Sequence, residues 1–444
     1  MKRYEAYKPT ETNWIPSVPI TWDMKKIVHL FSQRKEKVSD RDFPPLSVTK
    51  NGILPQLDNA AKTDDGDNRK RVCVGDFVIN SRSDRKGSCG VSTLEGSVSL
   101  INIVLQPRQQ LTGNYAHYLL RSQPFSEEFY RNGRGIVADL WTTRYSEMKT
   151  ILLPVPPREE QDQIVRYLDW QVSKINRLIA AKRKRVELVK EHFSVRIANI
   201  VCNGLKPNTP MRETGIDYIG AIPSHWTVLQ NKRLFKSMNR TFQGIPTVLS
   251  LSQKDGLIPY SEMTERSLHT SSYENWQLVC PNDLVLNRFK AHLGVFFASK
   301  YTGIVTFHYG VYEAKMPLVA KYYEVLYHTP EYCRVYARQS RGMTVGLQNL
   351  SDTNFYSTYT VYPPNEEQRE IVTEIEQIEK QQSSIIAGVN RQIEKLQEFR
   401  TRLISDVVTG QVDVRGIKVP NDEYINNEIT EEEFEEESEN NEEE

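Results

Sequence analysis

The side chains of this sequence best suited to catalysis lie in its second half. Glu313-Ala314-Lys315 follows Asp283 by thirty positions. This Asp…Glu-x-Lys arrangement resembles the one with which many nucleases hold a metal ion and activate water. The corresponding stretch of the first half, residues 102–105, has neither an acid nor a lysine. We therefore favour a charged strand face over a nuclease site.

A double proline is the second candidate for chemistry. Residues 362–365 read Tyr-Pro-Pro-Asn, which resembles the Asn/Asp-Pro-Pro-aromatic loop of amino-methyltransferases. Residues 155–158 of the first half read Val-Pro-Pro-Arg and lack the amide or acid before the prolines. Both stretches continue into Glu-Glu-Gln, and proline suits the first turn of a helix. The double prolines therefore predict helix starts.

Metal-binding and nucleotide-binding motifs are missing from the sequence. It has no phosphate-binding loop, no Gly-x-Gly-x-x-Gly, and no metal spacing among its eight histidines. An odd number of scattered cysteines suits a reducing cytoplasm, with neither disulfides nor a structural zinc site. No apolar run is long enough to span a membrane, and no secretory signal opens the chain. We expect a cytoplasmic protein without a metal or cofactor of its own. The cysteines are Cys73, Cys89, Cys202, Cys280 and Cys333.

The sequence contains one long internal repeat, present in two copies. Val-Pro-Ile-Thr-Trp at 18–22 returns as Ile-Pro-Ser-His-Trp at 222–226, a shift of 204 positions. Pro-Pro-Arg-Glu-Glu-Gln at 156–161 returns as Pro-Pro-Asn-Glu-Glu-Gln at 363–368, a shift of 207 positions. Weaker matches lie between these in the same order. A near-constant offset predicts two copies of one domain, able to present two similar surfaces to a partner.

Each copy follows the same plan of elements. Short β-type runs come first, separated by turn residues, and a helical stretch follows near 115–131 and again near 321–338. A long segment then begins at the double proline. We predict an α+β fold with two similar mixed α/β domains and two long antiparallel helices that form a coiled coil.

The long segments carry apolar residues at alternating steps of four and three, the a/d spacing of a coiled coil. Lys182 and Arg196 fill polar positions of the first stripe, and Gln382 and Gln392 fill those of the second. Neither helix can bury its stripe alone, so we expect the two to pair; packing on their own domains or on a second chain are the alternatives. The predicted helix-pair interface consists of Leu168, Ile175, Ile179, Val186, Val189, Phe193, Ile378, Ile385, Val389, Leu396, Phe399 and Leu403.

Charge is distributed unevenly along the 444 residues. The net charge is zero, yet residues 421–444 hold thirteen acidic side chains and no Lys or Arg. The remaining chain therefore has 57 basic and 44 acidic residues, a net charge of +13. A basic body is compatible with a nucleic-acid partner, although local excesses of this size are common. The acidic tail is expected to be disordered and solvated.

Polar loops at the ends of the predicted strands are the candidate DNA readers. Arg can bond guanine, Asn can bond adenine, and Lys can neutralise phosphate. Taken singly, each such residue is as readily an ordinary solvated turn residue. The loops differ between the two copies while the apolar frame persists, which favours two different half-sequences. The candidates are Lys50, Asn80, Arg82, Arg85, Lys86, Arg131, Arg134, Lys254, Asn287, Arg288, Lys290, Arg338, Arg341 and Thr344.

The doubled plan resembles the specificity subunit of type I restriction-modification systems. The resemblance rests on Ile-Pro-x-x-Trp near the start of each half, on Pro-Pro-x-Glu-Glu-Gln, and on the helix ends at 201–204 and 408–410. It covers residues 10–412. It implies a non-catalytic subunit that reads a bipartite, asymmetric site in double-stranded DNA.

The resemblance also implies the partners. Two modification (methyltransferase) subunits would use S-adenosylmethionine, and restriction/translocase subunits would use ATP and Mg. A stand-alone DNA-cleaving or DNA-modifying enzyme and a helical protein–protein adaptor remain the alternatives. The expected layout is a target recognition domain at 1–157, a long helix at 158–205, a second recognition domain at 206–363, a second long helix at 364–412, and the acidic tail at 413–444.

Overall fold

The computed structural model describes residues 2–56, 66–82, 85–136, 141–242, 247–252, 256–263, 273, 275–340 and 349–420. These residues form two compact units. Unit 1 contains the described residues up to Arg183 and from Asn390 onward, and unit 2 contains those of Lys184–Val389. No described helix is long and apolar enough to cross a membrane.

Unit 1 is built on short strands and short helices that precede a long helix. Its helices are α1 (Ile27–Leu30), α2 (Gly113–Arg121), α3 (Gln123–Arg131), α4 (Tyr145–Met148) and the start of α5 (Arg158–Asn203). Its strands are β1 (Tyr7–Pro9), β2 (Ser17–Pro19), β3 (Asp23–Lys26), β4 (Phe31–Gln33), β5 (Lys37–Val38), β6 (Leu46–Thr49), β7 (Gly52–Pro55), β8 (Arg69–Val72), β9 (Phe77–Asn80), β10 (Cys89–Val91), β11 (Gly96–Val98), β12 (Asn102–Pro107) and β13 (Leu152–Val155).

An antiparallel sheet in the order β10-β9-β12-β4 forms the centre of unit 1. In it Val78 pairs with Val104 and Ile79 with Ile103. These four side chains are buried, as expected for a continuous apolar strand covered on both faces. A second sheet has the order β11-β8-β5. Strand β9 therefore carries its C-terminal end, Asn80, out of a rigid core.

Unit 2 has the same kinds of elements. Its helices are α6 (Asn231–Leu234), α7 (Ala320–Tyr327), α8 (Pro330–Gln339), α9 (Asp352–Ser357) and the start of α10 (Asn365–Val408), with 3-10 turns at Tyr260–Glu262 and Ala291–Leu293. Its strands are β14 (Met211–Glu213), β15 (Ala221–Pro223), β16 (Thr227–Gln230), β17 (Phe235–Ser237), β18 (Leu249–Ser252), β19 (Gly256–Pro259), β20 (Gln277–Val279), β21 (Leu284–Asn287), β22 (Phe296–Ala298), β23 (Gly303–Val305), β24 (Tyr309–Ala314) and β25 (Tyr359–Tyr362).

The central sheet of unit 2 repeats the topology of unit 1. Its order is β22-β21-β24-β17, and each strand is the sequence counterpart of the strand at the same place in β10-β9-β12-β4. The pairs β13-β3 and β25-β16 also correspond. The units differ at the second sheet, where β20-β23 lacks a counterpart of β5 among the described residues. The mixed helix and strand character predicted from the sequence is confirmed.

The helical stretches predicted near 115–131 and 321–338 are each broken into two helices. Ser122 and Thr329 adopt extended conformations, with ψ of 147° at both residues, and begin α3 and α8. Each of these helices has proline in its first turn. Proline lacks the N–H that would continue the preceding helix. The break was readable at Pro124 and Pro330.

The two longest helices contact each other antiparallel within each unit. In unit 1, the Arg400 guanidinium donates to Asn176 Oδ1 at 2.7 Å, and Lys182 Nζ donates to Gln392 Oε1 at 2.6 Å. Residue numbers rise on α5 while they fall on α10, which defines the antiparallel sense. In unit 2, Arg196 pairs with Glu374 at 2.8 Å.

The buried stripe of α5 lies where the spacing predicted it, but that of α10 differs at two positions. On α5, Val189 is half-buried and the other predicted positions are buried: Leu168, Ile175, Ile179, Val186 and Phe193. On α10, Ile378, Val389 and Leu403 are buried and Leu396 is half-buried.

Ile385 and Phe399 are 39% and 45% exposed, more than the other predicted positions of α10, and their place in the helix-pair interface remains a prediction. Ile386 is half-buried and Ile393 is buried in their stead. A straight helix with 3.6 residues per turn drifts by about 20° per heptad against a strict seven-residue repeat. The buried positions of α10 therefore shift by one residue, from Ile385 to Ile386, along the helix. A strict spacing of 3.5 residues per turn does not predict this shift.

Candidate nucleic-acid interface

The repeated tryptophans join each domain to the first turn of its long helix. Trp22 Nε1 donates to Glu160 Oε1 at 3.0 Å, and Trp226 Nε1 donates to Glu367 Oε2 at 3.0 Å. Both indoles are essentially buried. A buried indole N–H needs an acceptor, and a carboxylate suits the positive end of a helix. The Trp and Glu motifs are thus one anchor in each unit.

The glutamine that follows each glutamate holds the loop before the next helix. Gln161 Oε1 accepts from the Thr112 backbone N–H at 2.9 Å, and Gln368 Oε1 accepts from that of Val319 at 2.9 Å. The side-chain amide of Gln161 donates in turn to the Pro156 carbonyl at 3.0 Å. These bonds fix the start of α2 and α7 against α5 and α10. The double-proline motif therefore has a structural role in both units.

A glycine ends each long helix beside the tryptophan of the same unit. Gly204 has φ +80° and lies against Trp226, while Gly410 has φ +76° and lies against Trp22. At Gly410 an added Cβ would meet Pro19 Cδ at 2.5 Å. Only glycine combines a left-handed backbone with so close an approach.

In unit 1 the two predicted reading loops meet through a third segment that sequence analysis missed. Arg82 and Arg134 each form an antiparallel backbone bridge with Thr142. Arg134 and Thr142 exchange both backbone bonds, at 3.0 and 2.9 Å. The Thr143 N–H donates to the Ser81 carbonyl at 2.9 Å. A β-type pattern was hard to see here because the run at 141–143 is only three residues long.

Aromatic side chains lie beside these loops. Trp141 Nε1 donates to the Tyr130 carbonyl at 2.8 Å, and the two rings lie 5.8 Å apart. Lys86 Nζ lies 5.3 Å from the centre of the Tyr130 ring. Together with Asn80 and Arg82 they line a small cleft at the end of β9. The structure thus brings together predicted candidates from two loops and adds Tyr130, Trp141 and Thr142.

The other candidates of unit 1 lie around this cluster. Arg85 is exposed in the loop after β9. Arg131 ends α3 and is paired with Glu128. Lys50 is exposed at the turn between β6 and β7, and its carbonyl accepts from Arg121. As candidate DNA contacts, all of these residues remain predictions.

Unit 2 presents its candidates differently. Asn287 ends β21 and its Oδ1 accepts from the Phe289 N–H at 3.1 Å. Arg288 pairs with Asp352 at 2.7 Å and is 24% exposed, so its guanidinium is engaged in the scaffold. Lys290 and Arg338 are exposed. Three further candidates lie outside the described residues: Lys254, Arg341 and Thr344.

The nuclease-like residues of unit 2 form an ion-pair group. Arg240 pairs with the Asp283 carboxylate and lies 3.2 Å from Glu313 Oε1, so a guanidinium occupies the place between the two acids. Burial raises the pKa of Asp283, against the lowering effect of Arg240. Lys315 Nζ donates to the Lys232 carbonyl at 2.7 Å. Unit 1 has the same pair in Arg34 and Asp76, at 2.7 Å.

The rest of the described structure is equally without a candidate metal site. Among the described residues, no group of three His, Cys, Asp or Glu side chains could hold a metal ion. The Arg–Asp pair occurs in both units and is part of their common scaffold.

The chain is similar to known restriction proteins. No family model matches it. It is 21% identical, over 294 residues and 57% of its length, to the putative type I restriction enzyme MjaX specificity subunit of Methanocaldococcus jannaschii. The match spans 64% of that relative's length.

The chain was also compared in fold with solved structures. A chain described with the complex assembly and conformational transition of the type I R-M system has a TM-score of 0.60 and 13% identity, covering 89% of this chain and 99% of its own. The HsdS subunit from Thermoanaerobacter tengcongensis has a TM-score of 0.46 and 15% identity, covering 89% of this chain and 98% of its own. In fold the chain matches the first of these, and in sequence it is similar to a type I specificity subunit, as its motifs predicted.

Proposed function

We propose that the chain is the DNA sequence-recognition (specificity) subunit of a type I restriction-modification complex. In this role it reads a bipartite, asymmetric DNA site and docks the methyltransferase and restriction subunits. The chain aligns with 64% of the length of its relative. The activity and the partners of the whole protein are therefore part of this proposal.

The observation that carries the proposal is a common scaffold with different tips. Both central sheets have the same strand order, and each places the end of one strand, Asn80 or Asn287, at the base of a polar loop. The residues after that strand differ between the units. Two equivalent scaffolds with different side chains suit a DNA site with two different halves.

The charge of the body supports a polyanion partner. Residues 1–420 carry a net charge of +13. Lysines and arginines that neutralise phosphates supply much of the affinity of DNA-binding proteins and make it dependent on salt. Arg82, Arg85, Lys86 and Arg134 place four such charges on the loops of unit 1.

The two long helices are proposed to form the coiled coil that separates two target recognition domains. The within-unit contacts of α5 with α10 support an antiparallel pair. A helix of 46 residues is about 69 Å long at 1.5 Å per residue. DNA half-sites one helical turn (~34–36 Å) or a multiple of it apart present the same groove face, and a helix of about 69 Å is as long as about two such turns. The recognition domains at 1–157 and 206–363 are part of this proposal.

Chemistry is proposed to come from the partner subunits. The modification subunits would supply S-adenosylmethionine-dependent methylation in the cytoplasm, and the restriction subunits would supply ATP- and Mg-dependent cleavage. The chain itself would be non-catalytic. The ion pair of Arg240 with Asp283 supports this part, because it engages the acids that a nuclease would need for its metal.

Mapping methylated adenines across the genome, in cells with and without this chain, tests the proposal. We expect one two-part motif to lose its methylation when the chain is absent. Exchanging residues 1–157 for those of another such subunit should then change one half of the motif and leave the other. Methylation that persists without the chain, or DNA cleavage by the purified chain alone, would contradict the proposal.

A further inference from the structure

Three side chains of unit 1 lie in a row on one face of a small three-stranded arrangement. Arg82 and Arg134 lie on either side of Thr142, each directly opposite it in an antiparallel bridge. Residues directly opposite each other in antiparallel strands point to the same face. Their Cα atoms are about 4.5 Å apart in a non-hydrogen-bonded pair and about 5.5 Å apart in a hydrogen-bonded pair. The Cα atoms of the two arginines are therefore about 10 Å apart.

The opposite face of this arrangement is closed. Ser81 and Thr143, the neighbours of Arg82 and Thr142, are 7% and 2% exposed. At Gly133 an added Cβ would meet Trp141 Nε1 at 2.3 Å and Thr143 Oγ1 at 2.8 Å. Successive residues of a strand alternate between faces, so the packed inner face directs the row outward.

The row is rigid at its base and open at its tips. Backbone bonds of 2.9 to 3.0 Å hold all three segments. The Arg134 side chain is 84% exposed, and Arg82 is also exposed. A fixed base with exposed guanidiniums is the arrangement expected of a side chain that must reach a defined position on a ligand.

We propose that the Arg82–Thr142–Arg134 row reads guanine-containing base pairs in the major groove. This inference rests on the proposed function. Each arginine would donate two hydrogen bonds to O6 and N7 of one guanine. At 3.4 Å per base pair, a separation of about 10 Å corresponds to guanines about three base pairs apart. Thr142 would face the base pairs between them.

A nearby carboxylate favours a base over a phosphate as the target of Arg134. Glu147 Oε1 lies 4.0 Å from Arg134 Nε. The pKa of Glu147 is lowered, chiefly by its hydrogen bond with Ser146, so this carboxylate is charged at neutral pH. It would repel a phosphate held by the same guanidinium, whereas guanine carries no net charge.

The test uses the full chain assembled with its modification subunits and a library of DNA duplexes that vary every position of the wild-type site. Arg82→Gln and Arg134→Gln should each reduce the preference for guanine at one position by roughly 10- to 100-fold. Both positions should lie in the half that changes when residues 1–157 are exchanged. The other half should keep its sequence.

Arg82→Lys and Arg177→Gln are the matched variants. Lysine keeps the charge but cannot form the fork of bonds to guanine, so Arg82→Lys should also lose the preference. Arg177 is an exposed arginine of α5 in the same unit and is not a candidate DNA reader, so its variant should leave the preference unchanged. Thermal unfolding of each variant confirms that it is folded.

Three outcomes overturn the inference while two-part recognition stands. These are a half-site without guanines, a uniform loss of methylation across all sequences, and full activity of Arg82→Lys with an unchanged preference. A wild-type complex that methylates without sequence preference would instead remove the proposed function itself.

Discussion

The two units use one backbone arrangement at the end of the central strand but different side chains. In unit 1 the Thr143 N–H donates to the Ser81 carbonyl at 2.9 Å, and in unit 2 the Leu350 N–H donates to the Arg288 carbonyl at 3.0 Å. Both pairs are related by a shift of 207 positions. The arrangement belongs to the scaffold, because it survives the change of side chain at each position.

The side chains that this scaffold positions differ chemically between the two units. At the shift of 207, Arg82 corresponds to Phe289 and Thr142 to Asn349. Phe289 is 36% exposed and lies 5.7 Å from the His308 ring, and Asn349 is exposed. A charged row in one unit and an aromatic and amide surface in the other would select different bases.

The cores differ as well. Ile27 of unit 1 corresponds to Asn231 of unit 2, and both are buried. Asn231 accepts from the Tyr327 hydroxyl at 2.8 Å and donates to the Phe355 carbonyl at 3.0 Å. Leu120 stands at the position of Tyr327 in unit 1. One topology is thus filled by apolar packing in unit 1 and by a satisfied polar network in unit 2.

Substitution of the tryptophan anchors should give the largest loss of stability, and the loss should be similar in the two units. Trp22→Ala and Trp226→Ala each remove a buried indole and its bond to a helix carboxylate. We expect each to reduce the free energy of unfolding by about 3–5 kcal/mol. Hydrogen exchange of the full chain should locate the loss in the unit that carries the change. Equal loss of protection in both units from one substitution would contradict two separate anchors.

Buried positions of α10 should give the next largest effect. Ile393→Asp in unit 1 and Ile375→Asp in unit 2 place a charge at buried positions, at a cost of about 3 kcal/mol or more. Phe399→Asp and Ile385→Asp are the exposed controls in the same units and should stay within about 0.5 kcal/mol of the wild type. Chemical denaturation measures all four. Destabilisation by the controls would support the strict seven-residue register.

The difference between the cores predicts an intermediate effect that depends on the unit. Asn231→Ala would remove the acceptor that Asn231 gives the Tyr327 hydroxyl and one of the two donors to the Phe355 carbonyl, and should cost about 1–3 kcal/mol in unit 2. Asn231→Ile copies unit 1 yet should not rescue stability, since the Tyr327 hydroxyl keeps no acceptor at that position. Adding Tyr327→Phe to Asn231→Ile removes that hydroxyl and should recover part of the loss. No recovery in the double variant would show that the network is not the cause.

Local and repeated signals were readable from the sequence. The two-copy plan and the starts of α5 and α10 follow from motifs such as Trp22 and Glu160, and the resemblance to type I specificity subunits follows from the same residues. The interpretation of Glu313 and Lys315 as a charged strand face also agrees with the structure, because Glu313 pairs with Arg240 and Lys315 Nζ donates to a backbone carbonyl.

The features that could not be predicted from the sequence depend on contacts between distant residues or on small changes that add up along a helix. Thr142 joins Arg82 only through a bridge sixty positions away along the chain, and no local pattern marks such a pair. The drift of α10 accumulates slowly over several heptads, so Ile385 and Phe399 fit the spacing but are exposed. Base-contacting roles depend on such placements, which is why the candidate residues remain predictions.

The smallest predicted effect is a dependence on pH that the two units share through different residues. The Arg121 guanidinium donates to His117 Nε2 in unit 1 at 2.8 Å. Burial, with the Arg121 charge, lowers the pKa of His117 to about 3. In unit 2, burial and the Lys321 charge lower the pKa of His328 to about 4. Both imidazoles are therefore neutral in the folded state.

The direction of the stability change with pH follows from the histidine pKa of about 6.5 in the unfolded chain, which lies above both folded values. The unfolded chain takes up protons first, so stability is complete above that pH and is lost as the pH falls below it. From pH 7.5 to 5.5 each histidine should cost about 1.4 kcal/mol. His117→Gln and His328→Gln should each remove one such step in denaturant titrations at the two pH values. His192→Gln, at an exposed position of α5, serves as the control, and a wild-type pH slope in either buried variant would contradict the assignment.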